Sequence, residues 1–479
     1  NAEAVIRKIR IRRGLIRAII GLPANLFYGT GIPACIILVD KENAATRRGI
    51  FMIDASRGFM KDGPKNRLRE MDIHRIVDVF RRGADVPKYA RMVSRDEIEK
   101  NDFNLNLPRY IDSQPPEDRQ DIEGHLKGGI PARDVDALGS YWTVCPALKT
   151  ALFKLSRPGY FDLAVEPDAI RGTILNNPDF RAFTDGLSRH FAAWASQTTV
   201  KLKALDKGLH PKALIAELSE GLLDHYRDRP LINAYDVYQH LMNYWTETMQ
   251  DDAYLIAEAG WKAETYRVTE TKKGKDGRHR IVDKGWVCDL VPKPLIVARY
   301  FAKETAEIIR LEAELDRAMT ELAALEEQHG HDEGLFSELI EDEEIKATVA
   351  GVKARLKEIN GDKSAKDEAD ALNIWLVLTE REKELKRQLR QIEDALDEKA
   401  LAKYSTLSQA EVKTLVVDDK WMASLNERIG GETVRAVHGL SRRLAALSDR
   451  YGATLSVLTE RAERLEQVVA SHLAKMGYV

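Results

Sequence analysis

Two short apolar runs, separated by a loop rich in glycine and proline, constrain this chain most. Residues 15–21 and 34–39 form these runs, and each has the length of a β-strand and is too short to cross a membrane. A strand that is apolar on both faces belongs in the middle of a covered sheet, as in α/β proteins. We therefore expect the second run to lie inside a sheet, with Cys35 buried in it, and a further strand at 49–54.

The loop between the two runs carries an aromatic pair beside glycines, at Phe27, Tyr28, Gly29 and Gly31. Glycine allows a backbone to turn sharply or to approach a ligand closely. An aromatic face at the end of a strand can stack on a planar group such as a nucleic-acid base. The residues alone leave two interpretations open: a base-stacking loop, or an ordinary turn over core aromatic side chains.

Length and charge limit the classes of protein that this chain can belong to. With 479 residues, two or three domains are expected. A hydrophobic share of 44% and a charged share of 31% describe a globular protein with long helices. The net charge is −3, so a DNA-binding role would require local basic patches or a partner that holds the duplex. The sequence shows no signal peptide and no membrane-spanning run, and we expect a cytoplasmic protein.

The sequence predicts neither a disulfide framework nor a metal site. Cys35, Cys145 and Cys288 are far apart and lack the spacing of zinc ligands. Histidine and acidic residues crowd together at 329–333, but they have no established ligand spacing.

Helical periodicity dominates the middle of the chain. We predict helices at 65–80, 120–127, 134–154, 179–205, 211–226 and 234–249. The first of these carries basic side chains that could contact a DNA backbone, but interleaved acidic residues favour a solvated face. The basic residues are Lys65, Arg67, Arg69 and Arg75, and the acidic ones are Glu70, Asp72 and Asp78.

Residues 266–282 predict a β-hairpin with a basic tip. Two interpretations of this tip remain: contact with DNA phosphates, or a mobile solvated turn. The basic residues are Lys272, Lys273, Lys275, Arg278 and Arg280.

From residue 302 onward, apolar residues recur every three or four positions among charged ones. Three such stripes run through 308–325, 374–396 and 437–465. Stripes of this kind are typical of coiled coils or helical hairpins, which serve as binding surfaces or spacers.

Three patches of the sequence resemble modification subunits of type I restriction–modification systems. The first is Leu-Pro-x-x-Leu-Phe-Tyr-x-Thr-Gly-Ile-Pro at 22–33, and the others lie at 101–111 and 404–421. Their order along the chain is that of the family, so the resemblance extends over most of the sequence. These subunits are adenine-N6 DNA methyltransferases that use S-adenosylmethionine.

The resemblance implies roles for a few residues. Phe27 matches the aromatic residue that stacks on the extruded base in related adenine methyltransferases, and Tyr28 is the second choice. Thr30 and Asn25 are neighbours of that site at most. The implied partners are DNA and the DNA-specificity subunit, with a second modification subunit and the restriction (nuclease/translocase) subunit as further members of such assemblies.

The cofactor loop and the catalytic tetrapeptide of the family have no match in this sequence. Gly29 and Gly31 are followed by Pro33 and a strand, not by a helix that could receive a cofactor. Asn-Asn-Pro-Asp-Phe at 176–180 resembles the Asn-Pro-Pro-Phe motif superficially, but its position between helices predicts a helix cap. We therefore expect a C-terminal portion of such a subunit, with no catalytic and no cofactor-binding residue, which by itself would not methylate DNA.

The predicted fold class is an α/β remnant, the last strands of a Rossmann-like methyltransferase sheet, followed by a mainly α-helical region with long coiled-coil-like arms. The predicted domains are 1–112 for the methyltransferase part, 113–300 for a helical domain with the basic hairpin, and 301–479 for the arms. Two alternatives stay open. One is a non-enzymatic helical scaffold in which Phe27 is a core residue, and the other is a whole subunit that receives its catalytic half from a separate polypeptide.

Overall fold

The structure is a computed structural model. It describes residues 2–114, 119–273, 279–330, 335–336, 340–341, 344–345, 348–360, 362 and 365–477. No helix within these ranges combines the length and the apolar character that crossing a membrane requires.

The described residues form mainly helices, with several small sheets. The helices are α1 (Ala2–Arg12), α2 (Glu70–Arg82), α3 (Arg95–Lys100), α4 (Ile122–Lys127), α5 (Ala132–Asp136), α6 (Gly139–Val144), α7 (Pro146–Leu152), α8 (Ile170–Asn176), α9 (Pro178–Lys203), α10 (Pro211–Tyr226), α11 (Ala234–Tyr244), α12 (Gln250–Ala259), α13 (Lys293–Tyr300), α14 (Ala302–His329), α15 (Val349–Glu358), α16 (Lys366–Tyr404), α17 (Gln409–Lys413), α18 (Ala423–Tyr451) and α19 (Leu455–Lys475). Short 3-10 helices lie at Leu107–Arg109 and Pro167–Ala169, and π-helical segments lie at Trp245–Met249 and Thr414–Met422.

The strands follow the same chain order. They are β1 (Ile16–Gly21), β2 (Cys35–Val39), β3 (Gly49–Asp54), β4 (Met60–Asp62), β5 (Lys65–Arg67), β6 (Ala90–Ser94), β7 (Ile130–Pro131), β8 (Phe153–Arg157), β9 (Tyr160–Leu163), β10 (Tyr266–Lys273), β11 (His279–Val287), β12 (Ile340–Glu341) and β13 (Glu344–Ile345).

Contacts divide the chain into two compact units. Unit 1 holds residues 1–201, 210–251 and 422–479, and unit 2 holds 202–209 and 252–421. Both units are discontinuous in sequence, whereas the three-domain division from the sequence stays a prediction.

A four-stranded sheet of order β2-β1-β3-β6 organises the first part of unit 1. β1 and β3 are parallel, and the other two pairings are antiparallel. Both faces of β1 and β3 are covered, because Ile19 and Met52 pack into one apolar cluster with α1 and α3, while Ile20 and Ile53 pack into another with α2. The predicted strands at 15–21 and 49–54 are therefore confirmed.

The predicted position of the second apolar run was wrong. β2 is an edge strand among the described residues, and Ile36, Ile37 and Val39 are 46%, 50% and 57% exposed. Cys35 is exposed as well, contrary to the expectation that it is buried. The apolar run correctly indicated a strand, but the strand that would cover its free edge is absent from the described residues of this sheet.

The helix predicted at 65–80 begins later, because residues 65–67 form β5 of a small hairpin. β4 and β5 pair on either side of a turn in which Gly63 has φ +59°, in the left-handed region that favours glycine. α2 then begins at Glu70 and buries Met71, Ile76 and Val79.

Short helices and a three-stranded sheet of order β7-β9-β8 follow in unit 1. The long helix predicted at 134–154 is wrong in detail, since α5, α6 and α7 occupy most of it and β8 begins at Phe153. Pro146 is one reason: it lacks a backbone N–H and starts α7 as the first helical residue. These elements share one core with α18, where Val437, Leu440, Leu444 and Leu447 are buried.

The later helix predictions are largely confirmed. α9 and α10 occupy Pro178–Lys203 and Pro211–Tyr226, and α11 begins at Ala234 as expected. In unit 2, β10 and β11 form the predicted antiparallel hairpin.

Unit 2 continues into two long helices, α14 and α16, that pack antiparallel. Lys399 pairs with Glu304 at 2.9 Å near one end, and Trp375 Nε1 donates to Glu326 at 2.8 Å near the other. Leu311 and Leu385 are buried between them. The helical character predicted from residue 302 onward is confirmed for most of the residues described there, which also include the short strands β12 and β13, while coiled-coil arms that bind another chain stay a prediction.

Candidate functional site

The candidate site lies where the two parallel strands of unit 1 end together. Gly21 at the end of β1 is paired in register with Asp54 at the end of β3, and the Ala55 amide donates to the Gly21 carbonyl at 2.9 Å. In α/β sheets, ligands bind beyond the carboxyl ends of parallel strands. The loop 22–34 leaves the sheet at this edge, so the edge carries the residues that the sequence singled out.

The β4–β5 hairpin holds the loop 22–34 in place. Asn66, which is buried, donates from its backbone to the Asn25 carbonyl at 2.9 Å and from its side chain to the Ala24 carbonyl at 2.7 Å. Lys65 Nζ donates to the Phe27 carbonyl at 2.9 Å. Three hydrogen bonds from one hairpin therefore fix the backbone on which Phe27 stands.

The aromatic pair is presented to solvent. Phe27 is 50% exposed and Tyr28 is 93% exposed. This exposure contradicts the alternative in which the loop is an ordinary turn over core aromatics. Base stacking by Phe27 and Tyr28 stays a prediction, and of the two, Phe27 has the more firmly anchored backbone.

A cavity of about 370 Å³ opens at the same end of β3. Its walls include Asp54, Arg57, Arg75 and Tyr89. The Arg75 guanidinium carbon lies 4.0 Å from the centre of the Tyr89 ring, a cation–π contact, and burial raises the pKa of the Tyr89 hydroxyl. The sequence had placed Arg75 on a solvated helix face, and this was wrong.

The other charged groups around this cavity have local partners. The Arg69 guanidinium donates to both Asp72 oxygens at 2.8 and 3.0 Å, and hydrogen bonding to that carboxylate raises the pKa of Arg69. Asp236 pairs with Arg435 at 3.4 Å, but burial and the nearby Glu432 carboxylate raise its pKa. Among the described residues, Arg57 and Arg75 are therefore the guanidinium groups of this cavity that have no ion-pair partner.

Sequence reasoning missed this cavity, although one signal for it was present. Asp54 closes an apolar strand, and a carboxylate at the carboxyl end of a buried strand commonly marks a ligand site. The positions of Arg57 and Arg75 depend on how α2 packs on the sheet, which periodicity does not reveal.

The basic hairpin is confirmed as a hairpin, but its tip lies outside the described residues. Lys275 and Arg278 belong to that tip, and the side chains of Lys272 and Arg280 are likewise outside the described part. Lys272 and Arg280 are paired across the ladder, and the Lys273 side chain is exposed. DNA contact by these residues stays a prediction.

The segment 176–180 caps a helix, as the sequence predicted. Asn177 is buried, and its Oδ1 accepts from the backbone amides of Asp179 at 3.0 Å and Phe180 at 3.3 Å. This is the geometry of an N-cap for α9.

The described residues do not form a cradle for S-adenosylmethionine. β1 leads through the loop 22–34 into the antiparallel strand β2, and β3 leads into the β4–β5 hairpin, so neither strand turns directly into a helix whose N-terminus faces the sheet edge. Within the described ranges, no group of three histidine, cysteine or acidic side chains is arranged to hold a metal, and most of 329–333 falls outside those ranges.

Comparison with known proteins identifies relatives of the first quarter of the chain. Residues 1–119 match the family described as N-6 DNA methylase. The MjaVII type I restriction enzyme methylase subunit of Methanocaldococcus jannaschii is 39% identical over 125 residues, which are 25% of this chain and 21% of that protein. The MpnII type I restriction enzyme methylase subunit of Mycoplasma pneumoniae is 36% identical over 121 residues, 25% of this chain and 22% of that protein.

A solved structure also matches about a quarter of this chain. It is the methyltransferase subunit of a type I restriction-modification system from Streptococcus thermophilus, 38% identical over 24% of each chain, with a TM-score of 0.22. The matches to the two curated relatives span about a fifth of those proteins' own length. The family match confirms the predicted resemblance for the patches at 22–33 and 101–111, while the patch at 404–421 lies outside it.

Proposed function

Because residues 1–119 match the N-6 DNA methylase family, we propose that this chain works in the modification subunit of a type I restriction–modification enzyme. Such an enzyme would transfer a methyl group from S-adenosylmethionine to adenine N6 in DNA. Within it, this chain would pack the target base and dock the other subunits. The observation that carries the proposal is the family match together with the exposed Phe27 on an anchored loop at the carboxyl ends of the parallel strands.

Phe27 would act by stacking on an adenine that has been turned out of the duplex. Base flipping costs a few kcal/mol, and a fixed aromatic face recovers part of this cost by stacking, about 1–3 kcal/mol per base. The hydrogen bonds from Asn66 and Lys65 favour this role because they fix the loop backbone before the base arrives.

The cofactor-binding loop and the catalytic tetrapeptide would come from other polypeptide sequence that completes the sheet. The exposed edge of β2 supports this part of the proposal. An apolar edge strand with free backbone donors and acceptors invites pairing with a further strand. Ile36 and Ile37, which point to opposite faces of the sheet and are both about half exposed, would then become covered.

The final helix offers a surface for subunit docking. α19 has no buried residue, and its apolar side chains include Leu458, Leu465 and Val469, which are 49%, 56% and 55% exposed. Their spacing of seven and four residues places them on one face of the helix. We assign this face to a helix of the DNA-specificity subunit, and the basic hairpin to DNA phosphates.

The test is methyl transfer to DNA by the assembled complex that contains this chain. Phe27→Ala is expected to reduce the methylation rate by about 5- to 150-fold, which corresponds to the loss of one stacked base. Phe27→Trp retains an aromatic face and should keep most of the activity, while Phe27→Leu retains bulk without it and should not. The chain alone is expected to show no transfer.

This assay distinguishes the proposal from a non-enzymatic scaffold and from a Phe27 that has no stacking role. A non-enzymatic scaffold gives a complex without methylation under any condition. Equal activity of the Ala, Leu and Trp variants would remove the base-stacking role while leaving the family assignment in place.

A further inference from the structure

The cavity at the carboxyl end of β3 has the character of an anion site. It lies entirely within unit 1, between residues 54–58, the first turns of α2, residues 87–89 and the start of α11. Its volume of about 370 Å³ falls in the range of small-ligand pockets. Four cationic and three acidic side chains line it: Arg57, Arg69, Arg75 and Lys88 against Asp54, Asp72 and Asp236.

Arg57 and Arg75 are the two cationic side chains of this cavity that have no polar partner among the described residues. Within the described ranges, neither guanidinium makes a hydrogen bond or an ion pair. The Arg75 Nε is shielded from solvent and has no hydrogen-bond partner among the described residues. A ligand would therefore accept from the terminal N–H groups of the Arg75 guanidinium, since the Nε is as closed to a ligand as it is to water.

Aromatic rings hold Arg75 in position for such a ligand. Its guanidinium lies 4.0 Å from the centre of the Tyr89 ring and 5.5 Å from that of Tyr235. Contact with ring faces leaves the N–H groups at the edge of the guanidinium free to donate. The group is therefore fixed in place while most of its donors remain available.

Lys88 adds a third positive charge at the rim. Its backbone adopts φ +60°, an uncommon conformation for a residue with a side chain, and its Nζ donates to the Gln114 carbonyl at 3.0 Å. Of the acidic residues, Asp72 is occupied by Arg69, and one oxygen of Asp54 accepts from the Ser56 amide at 3.0 Å.

We propose that this cavity binds a phosphate group through Arg57 and Arg75. Two guanidinium groups offer several N–H donors, with that of Arg75 held in a defined plane by its ring contacts, and a phosphate has enough oxygens to accept from both. The phosphate can belong to the DNA backbone or be free in solution. The DNA source rests on the proposed function, whereas the free-phosphate source does not.

Two probes are applied to the full chain and to its Arg57→Gln and Arg75→Gln variants. In the first, inorganic phosphate is added at constant ionic strength and the melting temperature is compared with that in chloride. The wild-type chain should gain stability by mass action, and both variants should lose this gain. Arg81→Gln is the matched control, because Arg81 is an exposed arginine of α2 outside the cavity.

In the second, binding of a duplex oligonucleotide is measured by fluorescence anisotropy over a range of salt concentrations. Loss of one phosphate contact should reduce the slope of log affinity against log salt by about 0.9, equally for unrelated sequences. Arg81→Gln should leave the slope unchanged.

The outcomes of the two probes distinguish a DNA backbone phosphate from free phosphate. An effect of the cavity variants on both probes, or on the duplex alone, supports the proposal with a backbone phosphate as ligand, and an effect on inorganic phosphate alone supports it with free phosphate. No effect of Arg57→Gln on either probe, or an equal effect of Arg81→Gln, overturns the proposal. Arg57 is exposed and makes no described polar contact, so Arg57→Gln should fold normally. It therefore tests the proposal even where Arg75→Gln fails to fold. Failure of the proposed function appears instead as absent methylation with these binding results unchanged.

Discussion

The side-chain amide of Asn66 donates to the backbone carbonyl of Ala24 at 2.7 Å. This bond joins a small β-hairpin to the loop that carries Phe27, across about forty residues of sequence. Because Asn66 is buried, no water can easily replace it. The position of the proposed base-stacking residue therefore depends on a side chain outside its own loop.

We expect Asn66→Ala to loosen the loop 22–34. The substitution leaves the Ala24 carbonyl without its partner, which should destabilise the fold by about 1–3 kcal/mol. Chymotrypsin should then cleave after Phe27 or Tyr28 faster than in the wild type. Lys61→Ala is the control, since Lys61 lies opposite Asn66 in the hairpin and is exposed. Equal cleavage rates for Asn66→Ala and the wild type would show that the loop is held by other contacts.

A pair of stacked histidines joins α9 to α10. The rings of His190 and His225 lie 3.7 Å apart, and the Nε2 of each donates to the backbone carbonyl of the other at 2.8 Å. Arg229 donates to His190 Nδ1 at 2.6 Å, which requires that ring to be neutral. Burial, with the nearby His225 and Arg229 adding to it, lowers the pKa of His190.

This histidine pair should make the stability of unit 1 dependent on pH. A histidine with a lowered pKa in the folded state binds fewer protons there than in the unfolded chain. Its stabilisation is therefore present above the unfolded pKa of about 6.5 and is lost as the pH falls through the folded value. For one proton, the slope of the free energy of unfolding is at most about 1.4 kcal/mol per pH unit.

Urea unfolding between pH 7.5 and pH 5 measures this dependence. The wild-type chain should lose stability over this range, and His190→Gln should lose clearly less. His210→Gln removes an exposed histidine that precedes α10 and should behave like the wild type. A pH dependence that is identical in His190→Gln and the wild type would rule out the stacked pair as its source.

Some of the fold follows from sequence because the deciding forces are local. The parallel strands β1 and β3 were predictable from uninterrupted apolar runs, and α10 from its periodicity. The edge position of β2 was not predictable. An apolar run indicates a strand with two buried faces, but it contains no information on which strands pair along its edges. The packing of α18 into unit 1 was missed for a similar reason, since it joins residues about three hundred positions apart.

The candidate site shows the same difference between local signals and long-range contacts. Phe27 was proposed from a motif of neighbouring residues, whereas Arg75 was assigned to a solvated helix face. Its place in a cavity arises from Tyr89 and Tyr235, which approach it from other parts of the chain. Periodicity reports which face of a helix is apolar, and it contains no information on such long-range contacts.

Asn177 provides a test that separates a helix cap from a catalytic residue. Its Oδ1 accepts from two backbone amides at the start of α9, so Asn177→Ala should reduce stability by about 1 kcal/mol. Asn177→Asp keeps the acceptor and should restore most of this loss. Thermal unfolding of both variants, with the exposed neighbour Asn176→Ala as control, measures the effect. A variant with unchanged stability and abolished methylation would instead indicate a catalytic role.

The exposed apolar face of α19 leads to the last prediction, on subunit docking. Leu458, Leu465 and Val469 lie on one face of a helix that has no buried residue, and a partner helix would remove them from water. Full burial of one such side chain contributes about 1.5–3 kcal/mol. Replacing all three with serine should therefore abolish capture of the specificity subunit in a pull-down and return this chain to its own elution volume in gel filtration.

The polar side of α19 supplies the matched control. Glu460 and Arg464 are exposed and can be replaced with serine without changing the apolar face. This variant should bind the specificity subunit as the wild type does, and circular dichroism should show the same helix content in both triple and double variants. Normal capture by the triple-serine variant would place docking elsewhere on the chain, and equal loss in both variants would point to a general defect of the helix.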